Sequence, residues 1–157
     1  MQPIVILQVL ILVFVANGTP VVAKKVWGGH LSYPVDGGLR FMDGRRVLGP
    51  SKTVRGLFVS ILLTSACAPL IGLDWNIGAV IACAAMAGDL FSSFVKRRQR
   101  LPASAQAIGL DQVPESLFPL LACQSMLALT VVDIVVGVVL FFMGERILSR
   151  LLYRLRQ

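Results

Sequence analysis

The chain has 157 residues, 56% of them hydrophobic, and a mean hydropathy of +0.79. That is too apolar for an ordinary soluble domain of this length, so composition points to an integral membrane protein. The net charge of +7, from 15 Lys and Arg against 8 Asp and Glu, gathers in clusters beside apolar runs. This is the pattern of membrane flanks facing anionic headgroups, and it argues against a nucleic-acid partner.

In chain order, the first apolar run extends from Pro3 to Ala16 without a positively charged leader, so it reads as an uncleaved first span. The segment from Asn17 to Thr53 follows. It is dense in glycine and proline but not of low complexity, and it reads as a structured loop without a long helix. Val54 to Leu73 and Trp75 to Val95 have the ~20-residue length of ordinary spans. The tract from Ser116 to Met143 is long for one helix and tight for two, with Asp133 near its middle.

Charge resolves that last tract. With a turn between about Ala128 and Asp133 there are five spans, and all 15 Lys and Arg fall on one side of the membrane. With one span, the four C-terminal arginines would be stranded outside, against the positive-inside rule. The sequence therefore predicts an all-α, single-domain polytopic protein, N-terminus out and C-terminus in, with Gly72 to Asn76 as its outer loop. In the tail, Arg146, Arg150 and Arg154 oppose Ile147, Leu148, Leu151 and Leu155, which predicts an interfacial amphipathic helix. No internal repeat supports an inverted-repeat transporter. Cys67, Cys83 and Cys123 lie inside apolar runs and His30 stands alone, so a zinc site is not expected.

Three polar constellations stand out. At about 100° per residue, Asp89, Ser92, Ser93, Lys96 and Arg100 share one helical face that descends from membrane depth to the cytoplasmic surface. A Lys/Arg cluster that merely fixes topology accounts for Arg98 and Arg100 but not for an acid at that depth. The second constellation is MDGRRVLGPSKTVRG, residues 42–56, where glycines alternate with Asp43, Arg45, Arg46, Ser51, Lys52, Thr53 and Arg55. Backbone amides in a glycine-rich turn with convergent cations suit a polyphosphate. A Walker A loop is excluded, because Pro50 stands where its lysine belongs. A basic loop resting on anionic lipid is the plainer alternative. The third is GLDQVPES, residues 109–116. Asp111 and Glu115 here, with Asp89, offer hard oxygen ligands for a divalent cation; Asp111 alternatively caps the helix that follows.

In this order the constellations resemble the CDP-archaeol synthase family, small membrane cytidylyltransferases related to CDP-diacylglycerol synthases. The resemblance rests on ANGTPV at 16–21, VDGGLRFMDGRRVLG at 35–49, SKTVRG at 51–56, GDLFSSFVKRR at 88–98 and LDQVPE at 110–115. Between the last two motifs this chain has QRLPASAQAIG, where members of the family usually have a glycine-rich linker. The resemblance implies a Mg²⁺-dependent reaction of CTP with a membrane lipid phosphate, giving a CDP-lipid and pyrophosphate, with the active site facing the cytoplasm. It implies Asp89, Lys96, Arg97 and Asp111 as catalytic residues, with Asp89 and Asp111 holding the metal. It also implies Asp43, Arg45, Arg46, Ser51, Lys52, Thr53, Arg55, Ser93 and Gln112 as nucleotide- and phosphate-binding residues. A synthase acting on diacyl phosphatidate is the nearest alternative. A non-enzymatic scaffold whose basic face binds anionic lipid is the alternative of a different class.

Overall fold

A computed structural model describes residues 1–30, 32–102 and 107–154, with side chains as far as Arg150. Five α-helices carry the described chain: α1 (Pro3–Trp27), α2 (Val54–Cys67), α3 (Trp75–Arg98), α4 (Gln112–Ala122) and α5 (Val131–Arg154). No strand occurs among the described residues. A 3-10 turn, Ala68–Ile71, extends α2, and together with α1 and α3 this makes three helical stretches long and apolar enough to cross a membrane. The Ser116 to Met143 tract divides into α4 and α5, as the charge argument requires, although the turn begins a few residues earlier than expected.

α1 is the central element and packs against all four other helices. Its buried face of Ile6, Val9, Leu10, Leu12 and Val13 meets Ile81, Leu120, Ile134 and Phe141 from the helices around it. At one end of the bundle, Asp133 ties two helix starts together. Its carboxylate accepts the Thr130 N–H and hydroxyl at 3.0 and 2.7 Å, while the Thr130 oxygen accepts the Asp133 N–H, a capping box for α5. The other Asp133 oxygen accepts the Gln2 N–H at 3.0 Å. Asp133 thus occurs in an apolar tract as a helix cap.

The opposite end of the bundle collects the cations. Lys24 and Lys25 close α1, Lys96 to Arg98 close α3, and the 28–53 segment with its arginines lies between α1 and α2.

One expectation is corrected. Residues 17–27 are not loop: α1 runs through Pro20 to Trp27. A proline inside a helix deprives the carbonyl four residues earlier of its donor, and here the fully buried Ser60 of α2 supplies the missing bond, its hydroxyl 2.8 Å from the Ala16 oxygen. The tail is helical, as expected, and is the unbroken continuation of α5 to Arg154. The expected opposition of Arg154 to Leu151 and Leu155 lies outside the described side chains.

The segment between α1 and α2 is structured, as expected. The buried Asp36 carboxylate accepts the N–H groups of Gly38, Leu48 and Gly49 at 3.1, 3.1 and 2.9 Å. Isolated bridges pair Pro34 with Thr53 and Arg40 with Arg46. Arg98 pins this segment to α3: it lies over the rings of Phe41 and Phe94, pairs with Asp43 at 3.0 Å and donates to the Arg46 carbonyl. Its role is to anchor the loop, beyond fixing topology.

Candidate active site

α4 has only 11 residues, about 16 Å at 1.5 Å per residue, roughly half the ~30 Å hydrocarbon core. Its N-terminus therefore stops partway along the bundle and leaves a cavity open toward the cationic end. This cavity, of about 500 Å³, is lined by all five helices and by residues Ser51–Thr53 of the loop. Gly88 sets its depth. A β-carbon there would lie 2.6 Å from the Pro114 carbonyl carbon and 2.9 Å from the Glu115 nitrogen, so only glycine permits this approach of α3 and α4.

The charged groups meet in pairs. Lys52 Nζ bridges both carboxylate oxygens of Asp89, and Lys96 Nζ lies 2.7 Å from Asp111 Oδ1. Asp89 also meets the Glu115 side chain, which accepts a 2.9 Å bond from Asn17 Nδ2 of α1. Glu145 of α5 adds a fourth carboxylate to the lining. Four acids and three lysines, Lys24, Lys52 and Lys96, thus face one space. Asn17 Oδ1 and Glu145 Oε2 are buried there without a partner among the described residues. The cavity also reaches the N-terminus of α2, where Thr53 Oγ1 caps the Gly56 N–H at 3.2 Å, a helix end whose dipole favours anions.

The expected site residues divide three ways. Asp89, Lys96, Asp111, Ser51, Lys52 and Thr53 line the main cavity. Arg45, Arg46 and Arg97, joined by Arg40, line a neighbouring pocket of about 250 Å³ on the other side of Gly49 and Pro50. Asp43, Arg55, Ser93 and Gln112 line neither. Asp43 is held by Arg98 and its own turn, Arg55 donates to the carbonyls of Gly28 and His30, Ser93 is buried in α3, and Gln112 Oε1 accepts the Gly109 N–H at 2.7 Å. Arg100 leaves the expected stripe because α3 ends at Arg98. Asp111 occupies the N-cap position of α4 without capping it; its carboxylate instead takes Lys96 and the Ala107 N–H.

Asn17, Lys24 and Glu145 line the cavity and were not expected. Asn17, Pro20, Val21 and Lys24 follow i, i+3, i+4, i+7 spacing, one helical stripe. That signal was legible once residues 17–27 are read as helix. Glu145, near the C-terminal end of a long apolar tract, had no such pattern. No cluster of three His, Cys, Asp or Glu arranged to hold a metal by itself occurs among the described residues.

This arrangement is that of an intramembrane enzyme with a charged chamber at one end of its bundle, and the comparisons agree. A solved structure described as an intramembrane enzyme for archaeal membrane lipid biosynthesis matches with a TM-score of 0.78 at 31% identity, covering 90% of both chains. A CDP-archaeol synthase from Hyperthermus butylicus is 38% identical over 119 residues, covering 72% of this chain and 68% of that one. Another, from Pyrobaculum islandicum, is 32% identical over 152 residues, covering 91% and 88%. The family model of CarS-like CDP-archaeol synthases matches residues 2–155. The chain belongs to the CDP-archaeol synthase family and is a membrane-embedded cytidylyltransferase.

Proposed function

We propose that the protein transfers CMP from CTP to an archaeol-type diether glycerol phosphate, at a site open to the cytoplasm. The observation that carries this reading is the convergence of Lys52–Asp89 and Lys96–Asp111 on one cavity at the cationic end of the bundle. An oxygen of the lipid phosphate attacks the α-phosphorus of CTP. One P–O bond forms, the bond from the α-phosphorus to the bridging oxygen of the β-phosphate breaks, and pyrophosphate leaves with that electron pair. No covalent enzyme intermediate is needed; the work is to align two anions and offset their charge.

The chain's residues suit that work. Lys52 and Lys96 offset phosphate charge from opposite sides. The arginine pocket of Arg45, Arg46 and Arg97 holds terminal phosphates of the nucleotide, through planar forks matched to phosphate oxygens. Asp89 and Asp111 suit Mg²⁺, which takes hard oxygens and commonly only one or two protein carboxylates, with substrate phosphates completing its shell. The buried, unpartnered oxygens of Asn17 and Glu145 in the same cavity support that fit. When bound, the ion supplies charge neutralisation to the phosphates and orients them.

The test uses purified protein in detergent with Mg²⁺, labelled CTP, and separately a diether glycerol phosphate and a diacyl phosphatidate. The expected result is a CDP-lipid with the diether preferred, and loss of turnover in Asp89→Asn and Asp111→Asn variants that still insert and fold. Preference for the diacyl lipid would assign the alternative substrate. No pyrophosphate from CTP with any lipid phosphate, while anionic vesicles are bound as well by Lys-for-Arg variants, would favour a scaffold.

A further inference from the structure

Two smaller cavities lead from the main one to the side of the bundle. The first, about 230 Å³, shares Pro20, Lys24, Ser51 and Thr53 with the catalytic cavity and is closed at its far side by Arg55. Arg55 also borders the second, a groove of about 480 Å³ whose other walls are Trp27, Tyr33, Val54, Phe58 and Val59. Its large apolar side chains are exposed: Trp27 by 49%, Phe58 by 62% and Tyr33 by 72%. Polarity thus changes in one direction, from an apolar groove along the first turns of α2, past one guanidinium, to hydroxyls and lysine, and then to the Lys52–Asp89 pair.

We propose that this groove and the small cavity behind it form the lateral binding site for the lipid substrate. The hydrocarbon chain lies against Trp27 and Phe58, and the phosphomonoester sits between Arg55 and Lys24. The inference rests on the function proposed above and adds the substrate's place and direction of approach. The occupant follows from the groove's surroundings. It runs along the first turns of α2, one of the membrane-capable helices, and its walls are apolar, which suits hydrocarbon; its inner end carries Arg55 and Lys24, which suits an anionic head. Arg55 donates its two terminal nitrogens to the carbonyls of His30 and Gly28, which fixes the guanidinium, while its buried Nε has no partner among the described residues and remains for a phosphate oxygen. From that position the phosphate reaches the reacting cavity past Ser51 and Thr53 without crossing the bundle.

The fluorescence of Trp27 provides the test. Of the chain's two tryptophans, Trp75 lies at the opposite end of the bundle, so Trp75→Phe leaves Trp27 as the sole reporter. The variant is placed in phosphatidylcholine vesicles, and brominated-chain phosphatidic acid, phosphatidylglycerol or phosphatidylcholine is titrated in. The expected result is saturable quenching by phosphatidic acid at a mole fraction at least several-fold below that needed for the other two. Arg55→Gln should erase that preference. Because Arg55 also braces the loop, Val59→Phe is the second variant; it fills the groove and should weaken quenching by phosphatidic acid alone. Equal quenching by phosphatidylglycerol would show ordinary contact with anionic lipid and overturn the proposal, as would equal quenching by all three. CTP-dependent pyrophosphate release is measured on the same variants, with the diether glycerol phosphate and with phosphatidic acid as acceptors. Turnover without selective quenching overturns the groove and spares the activity, whereas selective quenching without turnover keeps the groove and removes the activity.

Discussion

Gly88 of α3 and Pro114 of α4 touch backbone to backbone: a β-carbon at Gly88 would lie 2.6 Å from the Pro114 carbonyl carbon. Because Asp89 and Glu115 are their immediate neighbours, this contact sets the separation of two cavity carboxylates. Gly88→Ala must push the helices apart. Overpacking of this kind costs about 1–3 kcal/mol, and here it also moves Glu115 from Asp89. The expected outcome is a lower detergent Tm together with a fall in kcat larger than for Gly78→Ala. Gly78 meets Ala68 and the end of α2, nearly three turns from Gly88 along α3 and away from the cavity. Equal effects at the two glycines would dissociate the crossing from the chemistry.

Ser60 and Pro20 form a thermodynamic couple. The Ser60 hydroxyl bonds the Ala16 carbonyl that Pro20 leaves without a helical donor. Ser60→Ala orphans a buried carbonyl and should cost about 1–3 kcal/mol. In a Pro20→Ala background the residue-20 N–H returns to Ala16, so Ser60→Ala should then cost much less. A double-mutant cycle on unfolding in detergent measures the difference; additive effects would separate the two residues.

How far the fold could be read from the sequence varied with the kind of signal. The helices and the division of the 116–143 tract followed from apolar length and the sidedness of the cations, because both reflect the cost of placing charge in lipid. The extension of α1 through Asn17–Trp27 did not, since Gly18 and Pro20 are local breakers and the hydroxyl that compensates for Pro20 lies 40 positions further on in α2. The site was legible where charge stood at membrane depth, at Asp89, or recurred in a short motif, at Ser51 to Thr53. Asp43 carried the same motif signal yet holds the loop together, because proximity in sequence does not distinguish a side chain facing a cavity from one facing its own turn.

Asp36 should make the loop acid-sensitive. Burial raises its carboxyl pKa, but the N–H groups of Gly49, Gly38 and Leu48 and the Arg46 guanidinium outweigh burial and hold it below the usual carboxylate range. A folded-state pKa below the unfolded one contributes stability that is complete above the unfolded value of about 3.9 and is lost as pH falls through the folded value. Hydrogen exchange at Gly38, Leu48 and Gly49 should therefore stay slow at pH 6 and accelerate below about pH 4. Asp36→Asn should show fast exchange already at pH 6, with a raised KM for CTP. Protection in that variant matching the wild type would remove Asp36 as the organiser.

Orientation is open to direct measurement. The turn at Trp75 lies at the end of the bundle opposite His30 and the arginines of the loop. In a chain with Cys67, Cys83 and Cys123 replaced by alanine, Trp75→Cys should react with an impermeant maleimide added outside intact cells. His30→Cys and Asp43→Cys should react only after the membrane is opened. External labelling at residue 30 would invert the topology and place the cavity on the outer face.

Arg97 discriminates a phosphate fork from a charged cushion. Its side chain lines the arginine pocket, passes Gly49 with its Cδ 3.8 Å from where a β-carbon would stand, and donates to the Pro102 carbonyl at 2.7 Å. One terminal nitrogen thus sets the plane of the guanidinium and leaves the others for a phosphate. Lysine keeps the charge but loses both the plane and the Pro102 bond. A hydrogen bond to a charged group contributes about 1.5–3 kcal/mol, so Arg97→Lys should lower kcat/KM for CTP by roughly 10- to 100-fold. KM for the lipid phosphate should change little, because the groove it occupies lies on the other side of Lys24 and Arg55. Steady-state kinetics with each substrate varied in turn makes the comparison. If lysine sustains wild-type kcat/KM for CTP, Arg97 contributes only charge and the nucleotide phosphates lie in the main cavity alone.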